Sequence, residues 1–338
     1  MPDQNASQRF LLVRLGSMGD VIHALPAAAA LRDTFPQARI DWAIDPKWKR
    51  LLEGNADLNE IISADRKSAA GMATTISSLR DAKYTCAVDF QGLYKSALLA
   101  FASGAPRRIG FQRSYAREGL ASLLYTEKLN PRGGHKVNHN LALVHAAGAR
   151  DVPPRFPLCV SPEDVQQVTQ ELTQHDIAEF YVLNPGGGWR SKCWPPERYG
   201  ELHRVLNQQF GWRGVVSYGP GEENLAQELV TAAGKPAPVA IPLNLGLLMA
   251  LMQRAKFLVS ADTGPLHLAS ALGASVIGLF GPTDPARNGP YGGTAISVRN
   301  PRSSETTYRR GTSYSSAMLS ITVEQVMQAI KRLLGPCA

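Results

Sequence analysis

Short apolar, β-branched runs alternate with longer stretches of helical periodicity along most of this chain. That alternation is the mark of strand-helix-strand units, and it restricts the fold to a parallel sheet covered by helices. In the first half, 9–15 (RFLLVRL) reads as a buried strand and 20–33 as a helix. Strands at 39–43, 60–63 and 85–89 then alternate with helices at 47–53, 74–80 and 93–102. The stretch 151–162 (DVPPRFPLCVSP) holds four prolines, which lack a backbone donor and stop both helix and ladder, so it reads as a linker. Beyond it the alternation restarts, with strands at 180–183, 214–217, 239–241, 257–260 and 275–279 and helices at 196–208, 222–232, 245–253 and 265–272. The last helix, 323–334, repeats apolar residues at helical spacing. The expectation is an α/β protein of two doubly wound, Rossmann-like domains. With 338 residues, each domain is long enough to bury its own core.

Several classes drop out. The longest apolar stretch, 21–31, is broken by His23 and Pro26 and falls short of the ~18–20 residues that a membrane span needs. The polar start MPDQNASQ does not read as a signal peptide. Cys86, Cys159, Cys193 and Cys337 lie far apart with no C-x-x-C pair, which points to the cytosol and away from a zinc cluster or disulfide framework. No G-x-S-x-G elbow, H-E-x-x-H pair or Walker A loop occurs. His23, His139, His145 and His203 fall in helical patterns and read as packing or surface residues rather than metal ligands.

The net charge of +8 is lopsided: residues 1–160 hold 21 Lys/Arg against 14 Asp/Glu, and 161–338 hold 15 against 14. A basic first half is either a solvated face or a surface for an anionic partner. Nucleic acid is not that partner, because no helix-turn-helix, zinc-finger or RNP pattern accompanies the charge.

In open parallel sheets ligands bind beyond the carboxyl ends of the strands, so the strand-to-helix junctions carry the chemistry. The first is Gly16-Ser17-Met18-Gly19-Asp20. Asp20 at a helix start is either an N-cap or a general base for a sugar hydroxyl. The second, Asn184 to Pro195, has three glycines including Gly187, then Lys192. It is either a flexible loop or a phosphate cradle with a mobile point charge. The third is Ser260-Ala261-Asp262-Thr263-Gly264-Pro265-Leu266-His267. Its Pro265 is preset for a first helical turn, with Asp262 or Thr263 as cap and free N–H groups at Thr263 and Gly264 suited to a phosphate. Asp-Thr-Gly also marks aspartic proteases, but those need two such carboxylates in an all-β setting. At the fourth, Gly219 to Glu223, a glutamate is placed either to bond a ribose or to favour a helix N-terminus.

Four segments, FLLVRLGSMGDVIHALPA, VDFQGLYKSALL, NPGGGWRSKCWPPERY and SADTGPLHLASALGASVIGLFGPTDP, resemble in order and spacing the motifs of the family 9 glycosyltransferases. These are the heptosyltransferases of the lipopolysaccharide inner core. The segment 115–125 (YAREGLASLLY) resembles heptosyltransferase I in particular. The resemblance implies a GT-B architecture with an interdomain cleft: an acceptor domain over 1–155, a nucleotide-sugar domain over 156–320, and a final helix, 321–338, crossing back to the first.

It further implies inverting, metal-independent transfer of heptose from ADP-L-glycero-β-D-manno-heptose to a Kdo sugar on lipid A, with no cofactor. Asp20 matches the family's general base. Gly187, Lys192, Asp262, Thr263, Gly264 and His267 match its donor-binding positions, and Glu222 or Glu223 its ribose contact. Ser17, Gly19, Arg66, Lys67, Lys95 and Arg117 are the candidates for the anionic acceptor. A cytoplasmic monomer, peripheral on the anionic inner face of the inner membrane, is the corresponding expectation. The competing reading is a nucleotide-sugar-binding module without activity, which needs the turn at 262–267 but not Asp20; an extended Rossmann epimerase lacks its G-x-x-G-x-x-G and Tyr-x-x-x-Lys here.

Overall fold

The run RFLLV, buried in all but its leading arginine, forms strand β1 (Arg9–Val13). An uninterrupted apolar run is stable as a strand only where helices cover both faces of the sheet. The structure is a computed structural model that describes residues 8–64, 68–131, 133–300, 306–307 and 311–335. Arg66, Lys67 and Cys337 therefore lie outside the described residues. The chain forms two compact units, one ending at Cys159 and the next starting at Val160.

In the first unit β1 is followed by α1 (Met18–Ile22), α2 (Leu25–Thr34), β2 (Arg39–Ile44), β3 (Glu60–Ser63) and α3 (Ala69–Asp81). Then come β4 (Cys86–Asp89), α4 (Tyr94–Ala102), β5 (Arg107–Phe111), β6 (Glu127–Leu129) and α5 (Lys136–Ala146). Short 3-10 turns cover Pro46–Leu51 and Gly119–Leu124. The six strands are parallel in the order β3-β2-β1-β4-β5-β6. The order reverses between β1 and β4, which is where a doubly wound sheet opens a crevice.

The second unit repeats the winding. It runs α6 (Pro162–Gln174), β7 (Phe180–Asn184), α7 (Pro196–Phe210), β8 (Arg213–Tyr218), α8 (Glu223–Ala233), β9 (Val239–Pro242), α9 (Leu245–Arg254), β10 (Leu258–Ala261) and α10 (Gly264–Ala271). It closes with β11 (Val276–Phe280), α11 (Pro285–Asn288), β12 (Ala295–Arg299), α12 (Ser316–Leu319) and α13 (Val323–Leu334). Its parallel order is β12-β11-β10-β7-β8-β9, reversing between β7 and β10.

Two expectations change. The single helix expected at 20–33 is two, because Pro26 stands in the first turn of α2 with no N–H to continue α1. The helix expected at 47–53 is a 3-10 turn, entered through Pro46 and capped by Asp45, which accepts from the Lys47 N–H at 3.1 Å. The apolar stripe of α13 is buried within the second unit. Val323, Val326 and Ile330 share one core with Tyr181, Trp194 and Tyr199, each such burial being worth about 1.5–3 kcal/mol. Among the described residues, no helix is long and apolar enough to cross a membrane.

Candidate active site

At the first unit's switch point the loops after β1 and β4 are laced together. Leu15 N–H donates to the Gln91 side chain at 2.9 Å, and the Arg14 guanidinium donates to the Phe90 carbonyl. Gly16 makes the turn: its φ is +154°, and a Cβ there would stand 2.7 Å from the Trp48 ring nitrogen. The chain then enters α1 with Ser17 as N-cap, not Asp20. Asp20 is the third helical residue, and its Oδ2 accepts from Ser17 N–H at 3.3 Å and Ser17 Oγ at 2.9 Å. The helix start thus fixes the carboxylate while leaving about a fifth of it, 21%, exposed.

Two cations hold the same group: Arg14 Nη2 lies 2.7 Å from Oδ2 and Lys136 Nζ 3.2 Å from Oδ1. Burial pushes the Asp20 carboxyl up, but Arg14, Lys136 and His23, with the Ser17 hydroxyl, hold it well below the usual carboxylate range. Gly19 is buried and Ser17 exposed. Lys95 and Arg117, both exposed, come from neighbouring segments: Glu118 N–H donates to the Gly92 carbonyl at 3.0 Å, and the Glu118 carboxylate accepts from Tyr94 N–H at 2.6 Å. Arg14 and Lys136 were not among the sequence candidates. Lys136 lies 116 residues from Asp20, and no spacing rule pairs residues so far apart.

The second unit's switch point gathers three loops. Lys192 Nζ donates to Asp262 Oδ2 at 2.7 Å, and the ammonium lies 4.4 Å from the centre of the Trp189 ring. Asp262 Oδ1 meets His267 Nε2 at 3.2 Å. Burial would raise the Asp262 carboxyl, but the His267 hydrogen bond and the Lys192 charge hold it far below its ordinary value. Thr263 is the N-cap of α10, fixed by a 3.0 Å bond between its hydroxyl and Ser260 Oγ, and Gly264 opens the helix. Gly187 is closely approached: a Cβ would stand 3.1 Å from Thr263 Cγ2 and 3.0 Å from Cys193 Sγ, tighter than ordinary contact.

Glu222 closes the cluster. Its carboxylate lies over Gly186, 2.2 Å from where a Cβ would be, and accepts from Gly219 N–H at 2.9 Å. Glu223, in contrast, is exposed and bonds Gly221 N–H at the start of α8. Gly187, Lys192, Glu222, Asp262, Thr263, Gly264 and His267 are therefore neighbours. A helix N-terminus, a held ammonium and a glycine floor are features whose chemistry suits an anion. Among the described residues, no group of three or more His, Cys, Asp or Glu side chains is arranged to hold a metal ion.

The family model for glycosyltransferase family 9 (heptosyltransferase) matches residues 72–318. The chain belongs to glycosyltransferase family 9. This glycosyltransferase is 30% identical, over 85% of its length and 82% of the relative's, to lipopolysaccharide heptosyltransferase 1 of Pseudomonas aeruginosa. It superposes with a TM-score of 0.77 on E. coli heptosyltransferase WaaC with ADP, at 27% identity over 96% of this chain and 100% of that one. A family 9 glycosyltransferase from Veillonella parvula shares the fold at a TM-score of 0.83 and 23% identity, covering 97% of both chains. The two Rossmann-like units are those of a GT-B enzyme.

Proposed function

We propose that this enzyme transfers heptose from ADP-L-glycero-β-D-manno-heptose to a Kdo residue of the lipopolysaccharide inner core, with inversion and without a metal. The observation that carries the reading is the Asp20 carboxylate, partly exposed at the β1–β4 crevice and kept ionised by Arg14 and Lys136. Asp20 takes the proton from the acceptor hydroxyl as its oxygen attacks the anomeric carbon, opposite the departing ADP. So depressed a carboxylate is a weak base. An acceptor that brings its own anion supplies a new partner for Lys136, and Asp20 regains basicity when that ammonium swings away.

On the donor side the leaving diphosphate gathers negative charge. Lys192 and the N–H groups at Thr263 and Gly264 stabilise it, each well-placed donor contributing about 3 kcal/mol. Asp262 and the Trp189 ring keep Lys192 at its station, and Glu222, beside the glycine floor, bonds the ribose. Ser17, Gly19, Lys95 and Arg117, with Arg66 and Lys67, serve the acceptor, whose carboxylate and phosphates match the basic first half. The enzyme works as a monomer at the anionic inner face of the membrane that carries that acceptor.

Incubation with ADP-heptose and Kdo₂-lipid A tests this directly. ADP release with a one-heptose gain in acceptor mass, at a rate unchanged by EDTA, is the expected result. Transfer only to an acceptor that already bears heptose would reassign the acceptor, and loss of rate in EDTA restored by Mg²⁺ would overturn the lysine-and-dipole account of ADP departure.

A further inference from the structure

Of the large apolar side chains that stand exposed, five share one corner of the first unit. Tyr94, Leu98 and Phe101 on α4 are 54%, 37% and 51% exposed, and Leu120 and Leu123 on the 3-10 turn Gly119–Leu124 are 63% and 70% exposed. Positions i, i+4 and i+7 form one stripe on an α-helix, and i and i+3 eclipse on a 3-10 turn. Each element therefore presents a single apolar face, while Ala97, Leu99 and Ala100 on one and Ala121 on the other are buried.

The two elements are locked together. Ala97 packs with Ala121 and Tyr125. Ser96 Oγ at 2.8 Å and Tyr125 Oη at 2.6 Å donate to the same buried carboxylate, Asp89. Arg108 lies 5.4 Å from the centre of the Phe101 ring and donates to the Leu124 carbonyl at 2.9 Å. The exposed leucines thus belong to a rigid platform.

Cations are interleaved with this face. Residues 94–123 contain Lys95, Arg107, Arg108, Arg113 and Arg117 against one acidic residue, Glu118, and Lys95, Arg113 and Arg117 are exposed. Apolar side chains among lysines and arginines suit the boundary between headgroups and acyl chains of an anionic lipid surface. We infer that α4 and the turn Gly119–Leu124 form a membrane-docking face, with Phe101, Leu120 and Leu123 entering an anionic lipid surface and Lys95, Arg113 and Arg117 at its headgroups. This deepens the proposed function and rests on it for a lipid-borne acceptor, but its location rests on the exposure and packing of these side chains.

Flotation of the full chain with vesicles tests it, using phosphatidylcholine alone and phosphatidylcholine mixed with phosphatidylglycerol. The expected result is binding to the anionic vesicles, weaker binding to the neutral ones, and a fall of about tenfold or more in Leu120→Ser/Leu123→Ser, with Phe101→Ser as a second variant. Both variants should unfold at the parent's temperature and transfer heptose to a water-soluble, deacylated acceptor at the parent's rate. Failure of the parent to float with anionic vesicles would sink the proposal, as would variants that bind equally well. So would a dimer that the substitutions dissociate with vesicle binding unchanged, since the face would then join two copies. Absence of heptose transfer by the parent would break the proposed reaction instead, and flotation would still decide the docking face.

Discussion

Each unit places an aspartate at its switch point between two basic side chains, yet the two carboxylates differ in how far they are sealed from solvent. Asp262 is sealed in, with 5% of its side chain exposed, and its partners Lys192 and His267 are 16% and 7% exposed. Asp20 keeps 21% exposed, and its partner Lys136 is 36% exposed. A sealed ion pair fixes a cation in place, because separating buried charges costs several kcal/mol. A partly open one can exchange partners. The contrast supports the proposed proton transfer at Asp20 and a positioning role for Asp262, although both are held below the ordinary carboxylate range.

The largest effect expected from this contrast is at Asp20. Asp20→Asn keeps the side chain's shape at the Ser17 cap and removes the base, so kcat should fall about 10²–10⁴-fold while ADP affinity, read by calorimetry, stays at the parent value. Near-normal turnover would take Asp20 out of the reaction. Next in size is the donor pair. Lys192→Met should lower kcat/KM about 10²–10³-fold and weaken ADP binding, whereas Asp262→Asn, which only loosens Lys192, should cost about 10–100-fold. Equal losses in the two variants would erase the distinction between the group that binds and the group that positions.

The smallest effect is a shift in pH profile. Lys136 lowers the Asp20 pKa, so Lys136→Gln should raise it. The acid limb of kcat/KM, which requires ionised Asp20, should then move to higher pH, with only a few-fold loss at neutral pH. A limb that stays in place would show that Arg14 alone sets the charge state.

Much of this was legible in the chain because parallel strands buried on both faces leave continuous apolar runs. The junctions stand out because glycine and aspartate cluster where backbone must approach a ligand. Legibility failed where structure depends on remote partners. Strand β5 reads RRIGF, and its arginines are accommodated by remote partners: Arg107 finds Glu127 at 2.7 Å on β6, 20 residues on, and Arg108 donates to the Leu124 carbonyl at 2.9 Å. The residues around Asp20 leave it either a cap or a base, and the structure gives the cap to Ser17 and pairs Asp20 with a lysine from the start of α5. Glu222 and Glu223 were indistinguishable in sequence, since only the fold tells which one lies over Gly186.

The attachment of the last helix reaches further than its own core. Trp194 Nε1 donates to the Ile321 carbonyl at 3.0 Å, and Arg198 donates to the same oxygen. Trp194 stands two residues after Lys192, so the carboxyl-terminal segment acts as a hasp on the loop that presents the ammonium. A chain clipped before 321 would lose more than a helix: Ile321, Val326 and Ile330 would leave the core, and the loop that carries Lys192 would be unlatched at the same time.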